Sequence, residues 1–231
     1  MISALQPHFY REYKEGAPDE LRVDAGFVTA PDGTLVAAVV PCYVGPPGDG
    51  ERILKPLRAF GPPVADMVGP VSYCQLQAML DPIAPPDHLN YWKSSFVAEL
   101  SDAAIETMIR YAEARPSPTS FLILEDMHGA ASRVRPEDTA FAHRQAHYAL
   151  LIIATWTDAA DSEKHIHWVR DCWEAMQPFT AGSVYVNYLG EEGEERVRAA
   201  YGPNYDRLVA LKNKYDPTNF FRLNQNIKPR G

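Results

Sequence analysis

The spacing of apolar residues changes along the chain between helical and strand periodicity. Residues 1–15 carry an apolar side chain at every fourth position from Leu5, which predicts a short amphipathic helix. Two apolar, β-branched runs follow at 21–29 and 35–44. Asp32-Gly33 lies between them, and an Asp-Gly turn between two such runs is typical of a β-hairpin.

The same patterns predict the remaining elements. Helices are expected at 51–60, 72–80, 102–114, from the 157–163 stretch to about 176, 192–201 and 204–215, and strands at 91–100, 120–125, 147–156 and 183–188. Residues 147–156 are the longest apolar run, so this strand is expected to be central. Hairpin signals interspersed with helices predict an α+β fold, an antiparallel sheet with helices on one side and a C-terminal helical and extended tail.

Composition narrows the possible functions. The chain has 231 residues, 46% of them hydrophobic, and a net charge of −8. An acidic chain without a basic run is a poor candidate for binding nucleic acid or an anionic membrane surface. No apolar run approaches ~18 residues, so no transmembrane helix is expected. Three cysteines far apart in sequence argue against a disulfide framework and for a reducing, cytoplasmic location.

The motifs that would indicate nucleotide or metal binding are missing or weak in this sequence. It contains neither G-x-G-x-x-G nor a P-loop, and therefore no recognisable phosphate cradle. His165 and His167 would point roughly 200° apart on a helix, so a polar surface helix is favoured over a metal site. Glu125-Asp126 with His128 is either an acid/base cluster at a strand end or, as we favour, a solvated loop.

The last part of the chain carries four ordered motifs. They are Tyr185-Val186-Asn187-Tyr188, then Y-G-x-N-Y-x-R-L at 201–208, K-x-K-Y-D-P-x-N-x-F at 212–221 (with Phe220 and Phe221), and Asn224-Gln225-Asn226-Ile227. This order resembles the C-terminal segment of the berberine bridge enzyme-like FAD-linked oxidases of the vanillyl-alcohol-oxidase type. Upstream stretches, among them Tyr91–Phe96 and Ala140–Arg144, are also similar to that family's substrate-binding domain.

The resemblance implies a domain organisation and a reaction. Residues 1–180 would be a substrate-binding α+β domain truncated at its start, with the berberine-bridge-like segment, 181–231, packed on it. The reaction would oxidise an alcohol, sugar or natural-product carbon of a small-molecule substrate, with hydride transfer to FAD. The family's FAD-binding domain is expected to lie outside this chain, in a missing region or on a separate partner polypeptide. The alternative is a flavin-free small-molecule binding module or an inactive remnant.

The resemblance also assigns roles to particular residues. Tyr188 would be the catalytic base, and the residues that contact FAD would be Tyr185, Asn187, Asn224, Gln225 and Asn226. A free Tyr has a pKa of ~10, so a base at this position needs a lowered pKa. The alternative for Tyr188 is a packing residue with a solvated hydroxyl.

Two further residues are candidates for binding substrate. Lys93 could face the pocket, although a surface lysine that extends its amine into water is favoured. His143 is either part of a substrate-facing pair with Arg144 or a polar entry to the long strand.

Three further expectations concern the side-chain directions at 183–188, the tail and the assembly of the chain. If 183–188 is a strand, Tyr185 and Asn187 share one face and Tyr188 points to the other. Phe220 and Phe221 are expected to pin the extended tail to the body. Without an FAD-binding domain an apolar face would be exposed, so a homodimer is expected, through that face or an open sheet edge.

Overall fold

The computed structural model describes residues 5–81, 86–145 and 147–230, so positions 1–4 of the predicted first helix lie outside the described residues. Its strands are β1 (Leu21–Thr29), β2 (Leu35–Tyr43), β3 (Leu89–Val97), β4 (Phe121–Asp126) and β5 (Tyr148–Trp156). Its helices are α1 (Leu5–Glu15), α2 (Pro47–Ala59), α3 (Tyr73–Ala78), α4 (Asp102–Glu113), α5 (Ala130–Arg133), α6 (Ser162–Met176), α7 (Glu194–Tyr201) and α8 (Tyr205–Tyr215).

The strands form one antiparallel five-stranded sheet in the order β2-β1-β4-β5-β3. The predicted α+β fold is therefore confirmed. β5 lies between β4 and β3, and eight of its nine residues are buried. A strand with both faces covered reads as a continuous apolar run, which is why the sequence pattern singled it out.

Helices α1, α4 and α6 cover the first face of the sheet. Successive strand residues point to opposite faces, so Leu122, Leu150 and Ile152 share this side. They pack with Met108 of α4 and Val169 of α6 in the main hydrophobic core. Burial of these apolar side chains is the main force that holds the helices on the sheet.

The second face of the sheet carries the alternate residues of the same strands. Ile123 pairs in register with Leu151, and Glu125 with Ala149. Because β1 is antiparallel to β4, Arg22 and Asp24 also lie on this second face, next to Glu125. The charged side chains of Arg22, Asp24 and Glu125 thus meet on the face that the core helices leave free.

A second hydrophobic cluster holds the C-terminal part of the chain. Its buried members are Val184, Leu189, Val197, Ala200, Tyr205 and Val209. Ile227 of the tail and Tyr188 pack against it. This cluster joins three of the four sequence motifs, those at 185–188, 201–208 and 224–227.

A buried ion pair anchors α1 under the sheet. Lys14 of α1 places Nζ 3.0 Å from Asp126 Oδ1, and the side chains are 7% and 0% exposed. The other carboxylate oxygen accepts a hydrogen bond from the Val23 backbone N–H at 3.2 Å and lies 2.7 Å from His128 Nδ1. The second residue of Glu125-Asp126 is therefore a structural contact on the first face, whereas Glu125 points to the second.

The edge strand β2 is protected against pairing with another chain. Val44 N–H donates to Glu20 O and Ala30 N–H donates to Thr34 O, so the even-numbered residues of β2 bond to β1. The odd-numbered residues then point outward, and Pro41 is one of them. Proline has no N–H, so an incoming strand would lose a hydrogen bond there.

The other edge, along β3, is partly covered by the C-terminal segment. Phe96 N–H donates to Ser183 O, and Ala181 N–H donates to Phe96 O, both at 2.9 Å. After these bonds the chain leaves the edge instead of forming the predicted strand at 183–188. Val186–Tyr188 is a single 3-10 turn, closed by Tyr188 N–H to Tyr185 O at 2.9 Å.

Two other predictions were wrong. The second helix begins at Pro47 instead of 51, since proline suits a first helical position and Gly50 packs against the Tyr43 ring. Phe220 and Phe221 do not pin the tail, because they are 75% and 76% exposed.

None of the helices within the described ranges is long and apolar enough to cross a bilayer.

Candidate functional site

The centre of the candidate site is a hydrogen bond between Tyr188 and Glu125. The 3-10 turn brings the Tyr188 hydroxyl over the second face of the sheet, where it donates to both carboxylate oxygens of Glu125, at 2.9 and 3.0 Å. Both residues are partly buried. Two groups 63 positions apart in sequence are thus coupled through one proton.

The surroundings raise the pKa of both groups. Burial raises the pKa of Tyr188, and the negative charge of Glu125 and the hydrogen bond to it raise that pKa further. Burial also raises the pKa of Glu125, opposed by the Tyr188 hydrogen bond and the charge of Arg22. Tyr188 therefore lacks the lowered pKa that a lone base requires. The acceptor in this pair is Glu125, and Tyr188 can pass a proton to it.

Arg22 and Asp24 extend this polar cluster along β1. Arg22 Nε donates to Asp24 Oδ1 at 2.8 Å, and an Arg22 terminal nitrogen lies 3.8 Å from Glu125 Oε1. The same Asp24 oxygen accepts the Asp126 N–H at 2.8 Å. The sequence interpretation missed both residues, although two charges at period two in the apolar run 21–29 were a visible signal.

Tyr185, Asn187 and Trp92 support the turn that carries Tyr188. The Tyr185 ring meets the Tyr188 ring edge-on with centroids 5.1 Å apart, and Asn187 Nδ2 donates to the Tyr185 hydroxyl at 2.7 Å. Trp92 Nε1 donates to the Tyr188 carbonyl at 3.0 Å. Tyr185 and Tyr188 are in contact and do not point to opposite faces, because the segment is a turn and not a strand.

Lys93 does not reach this pair. Lys93 pairs in register with Ile152, which belongs to the helix-covered first face. Its Nζ lies 2.8 Å from a Glu192 carboxylate oxygen and 4.5 Å from the centre of the Trp173 ring. The structure gives Lys93 a contact between β3, α6 and the C-terminal segment in place of the substrate contact that was considered.

His143 closes the end of α7. Its Nε2 lies 3.0 Å from Ala199 O and 2.9 Å from Ala200 O. Both partners are carbonyl acceptors, so this nitrogen carries a proton and donates to them. Aromatic contacts connect His143 to Phe141, Phe141 to Tyr185 and Tyr185 to Tyr188, so two rings lie between His143 and Tyr188 along this path.

The tail residues differ in their availability for a cofactor. Gln225 Nε2 donates to Leu189 O at 2.7 Å, and Asn224 is exposed. Asn226 Oδ1 is buried without a hydrogen-bond partner among the described residues, beside a groove of about 280 Å³. An unpaired buried acceptor is costly, so this atom fits a donor from a bound group.

The helix that carries His165 does not form the metal site that was weighed. The His165 ring is buried and stacks on Trp156 with centroids 4.8 Å apart, and burial lowers its pKa. His167 is exposed. Within residues 5–81, 86–145 and 147–230, no group of three or more His, Cys, Asp or Glu could hold a metal ion.

Comparison with known proteins shows which family the chain resembles. Residues 184–228, which hold the Tyr188 turn, α7, α8 and the tail, match the family model described as Berberine and berberine like. The FAD-linked oxidoreductase YgaK of Bacillus subtilis is 30% identical over 189 residues, which are 81% of this chain and 42% of YgaK. Residues 184–228 therefore form a berberine-like segment, and over most of its length the chain is similar to the C-terminal region of FAD-linked oxidoreductases. The resemblance of residues 185–227 is thereby confirmed.

Solved structures of berberine bridge enzyme-like and related proteins share the fold. 6-Hydroxy-D-nicotine oxidase from Arthrobacter nicotinovorans superposes with a TM-score of 0.80 at 25% identity, over 98% of this chain and 51% of that enzyme. Berberine bridge enzyme-like protein 28 from Arabidopsis thaliana gives 0.79 at 21% identity, over 99% and 55%.

The berberine-like chain spans about half the length of the curated relatives it matches. It covers 42% of YgaK and 46% of an FAD-linked oxidoreductase from Dictyostelium discoideum that is 28% identical over 214 residues, which are 92% of this chain.

Proposed function

We propose that this chain forms the substrate-facing part of an FAD-dependent oxidoreductase in which Tyr188 and Glu125 take the proton from a substrate hydroxyl. The observation that carries the proposal is the hydrogen bond from Tyr188 to both oxygens of Glu125. It lies between the sheet and the segment that matches the berberine-like model. The substrate class is an alcohol, sugar or natural-product carbon that carries a hydroxyl.

Coupled proton movement explains why the raised pKa of Tyr188 is no obstacle. As the substrate O–H proton moves to the Tyr188 oxygen, the Tyr188 proton moves to the Glu125 carboxylate, so no phenolate has to form. The substrate carbon then becomes a carbonyl, and its hydrogen leaves with both bonding electrons. FAD, when bound, supplies the oxidant that accepts this hydride. Proton transfer by positioned groups of this kind contributes about 10²–10⁴-fold to rate.

The cofactor contacts proposed for this chain are neutral. Asn226 offers the unpaired acceptor, Asn224 and Asn187 are exposed amides, and Tyr185 and Gln225 complete the set. Neutral donors and acceptors suit the carbonyls and nitrogens of a flavin ring. None of the five side chains is a cation, and the chain has no recognisable glycine-rich phosphate cradle, so we propose that the FAD pyrophosphate binds a region elsewhere, in the same protein or in a separate partner.

A flavin-binding experiment tests this function. The chain, together with its FAD-binding region, is titrated with FAD and then mixed without oxygen with a panel of alcohols and sugars. We expect quenched flavin fluorescence on binding, followed by loss of the flavin absorbance band with at least one substrate. If FAD binds neither to the chain nor to the pair, the flavin-free binding module is the better description. If FAD binds but no hydroxylated substrate bleaches it, the proposed reaction is wrong.

The remaining assignments concern organisation and assembly. We propose a substrate-binding unit at 1–180 with the C-terminal segment at 181–231 packed on it. A cytoplasmic location is proposed on the three free cysteines.

A homodimer is also proposed, and the exposed apolar side chains between α2 and β3 supply a contact surface. Val64, Met67 and Tyr73 are 80%, 93% and 74% exposed, and apolar clusters of this kind are typical of interfaces. A dimer formed through the β2 edge is less favoured, because Pro41 has no N–H to donate to an incoming strand. We expect sedimentation velocity at micromolar concentration to give a dimer mass, and Met67→Glu to shift it towards the monomer. A monomer for the unaltered chain would refute the assembly.

A further inference from the structure

We propose that Arg22 is a positioning residue of the proton-accepting pair, which it serves by keeping Glu125 ionised and able to accept the proton of Tyr188. The inference rests on the proposed function of Tyr188 and Glu125. Arg22 itself lies in β1, far in sequence from the motifs that carry the family resemblance.

The Arg22 guanidinium is held in place through hydrogen bonds that lead to the backbone. Its Nε donates to Asp24 Oδ1 at 2.8 Å, and that oxygen also accepts the Asp126 backbone N–H at 2.8 Å. The guanidinium is thus tied to the main chain beside Glu125. Its terminal nitrogen lies 3.8 Å from Glu125 Oε1, close enough for a charge interaction without a direct hydrogen bond.

The charges facing Glu125 come from two elements. β1 contributes Arg22 and Asp24, and the 3-10 turn contributes the Tyr188 hydroxyl with the Tyr185 ring against it. The neighbour in register on β5 is Ala149, which is uncharged. Among the described residues, Arg22 is the single cation within ion-pair distance of Glu125.

Loss of this cation would leave the Tyr188 hydrogen bond as the one remaining interaction of those acting on Glu125 that lowers its pKa. Burial and the negative charge of Asp24 both raise the pKa of Glu125, whereas Arg22 lowers it. A protonated Glu125 cannot take a proton from Tyr188. The half-exposed guanidinium, with its side chain 49% exposed, acts through a partly screened charge. Its expected effect is therefore moderate.

A titration of Glu125 tests this role directly. The carboxyl carbons of glutamate are labelled with carbon-13, the Glu125 signal is assigned by its loss in Glu125→Gln, and its pKa is measured by NMR. Arg22→Gln is expected to raise the pKa of Glu125 by ~0.5–1 unit. Arg22→Lys, which keeps the charge, should return part of the shift, and Asp24→Asn should move the pKa in the opposite direction.

An arginine in α2 provides the matched control. Arg52→Gln removes an exposed arginine that pairs with Asp49 in α2, away from the site, and should leave the Glu125 pKa unchanged. An unchanged or lowered pKa in Arg22→Gln overturns the proposal. If Arg22→Gln does not fold, Arg22→Met, which keeps a long side chain without the charge, decides, and an unchanged or lowered pKa in that variant overturns it.

The titration is independent of flavin and substrate. An unchanged Glu125 pKa together with Tyr188-dependent oxidation would reject the role of Arg22 alone. If Arg22→Gln raises the Glu125 pKa as expected but the protein oxidises no hydroxylated substrate, the proposed function is rejected. The electrostatic effect of Arg22 on Glu125 then still stands.

Discussion

Replacing Tyr188 with Phe is expected to lower kcat of the FAD-loaded protein by about 10²–10⁴-fold, because the substrate proton then has no path to Glu125. Glu125→Gln should cause a loss of similar size. Its amide oxygen can still accept the Tyr188 hydrogen bond, so this variant keeps the geometry and removes only the proton acceptor. Steady-state oxidation of the substrate found in the flavin experiment measures both effects.

The double variant distinguishes a coupled pair from two separate contributions. Residues that act as one unit are non-additive, so Tyr188→Phe with Glu125→Gln should be little worse than either alone. Tyr215→Phe, which alters an exposed tyrosine, is the matched control and should keep kcat. Near-normal turnover in Tyr188→Phe would show that the pair does not carry the proton.

Asp126→Ala is expected to lower the free energy of unfolding by about 3–5 kcal/mol, because it leaves Lys14 buried without its partner. The Val23 N–H also loses its acceptor. Replacing both partners, as in Lys14→Met with Asp126→Leu, should recover most of the loss, since a packed apolar pair has no charge to desolvate. Urea denaturation followed by circular dichroism measures the stability of both variants.

An exposed ion pair provides the comparison for the buried pair of Lys14 and Asp126. Arg135 and Asp138 interact in solvent, so Asp138→Ala should change stability little. If Asp126→Ala is no more harmful than Asp138→Ala, or if the double variant is as unstable as the single, the buried pair does not anchor α1.

The elements of the fold were largely predictable because local patterns determine them. The Asp-Gly turn, with Gly33 at a φ of +88°, predicted the β1–β2 hairpin, and the unbroken apolar run predicted that β5 would be central. Residues 183–188 misled for the opposite reason. Their composition is typical of a strand. The chain nevertheless leaves the β3 edge after Ser183, whose carbonyl accepts the Phe96 N–H, and it forms a turn there.

The candidate site was only partly predictable. Tyr188 was found through a family motif, and Glu125 was noticed but favoured as a solvated strand end. Arg22 was missed, and Lys93, a candidate for the pocket, lies on the helix-covered face. Which face of a strand meets the helices depends on its register with its neighbours, and period-two spacing does not reveal that choice.

The sequence by itself determined the fold class, the apolar centre of the sheet and the berberine-like C-terminal region, since periodicity, turn residues and motif order are local properties. Tertiary structure alone decided that Asp126 supports α1 while Glu125, one residue earlier, meets Tyr188 on the opposite face. The reason is physical. Adjacent strand residues point to opposite faces, and only the packing of helices on one face and of the C-terminal segment on the other gives each carboxylate its partner.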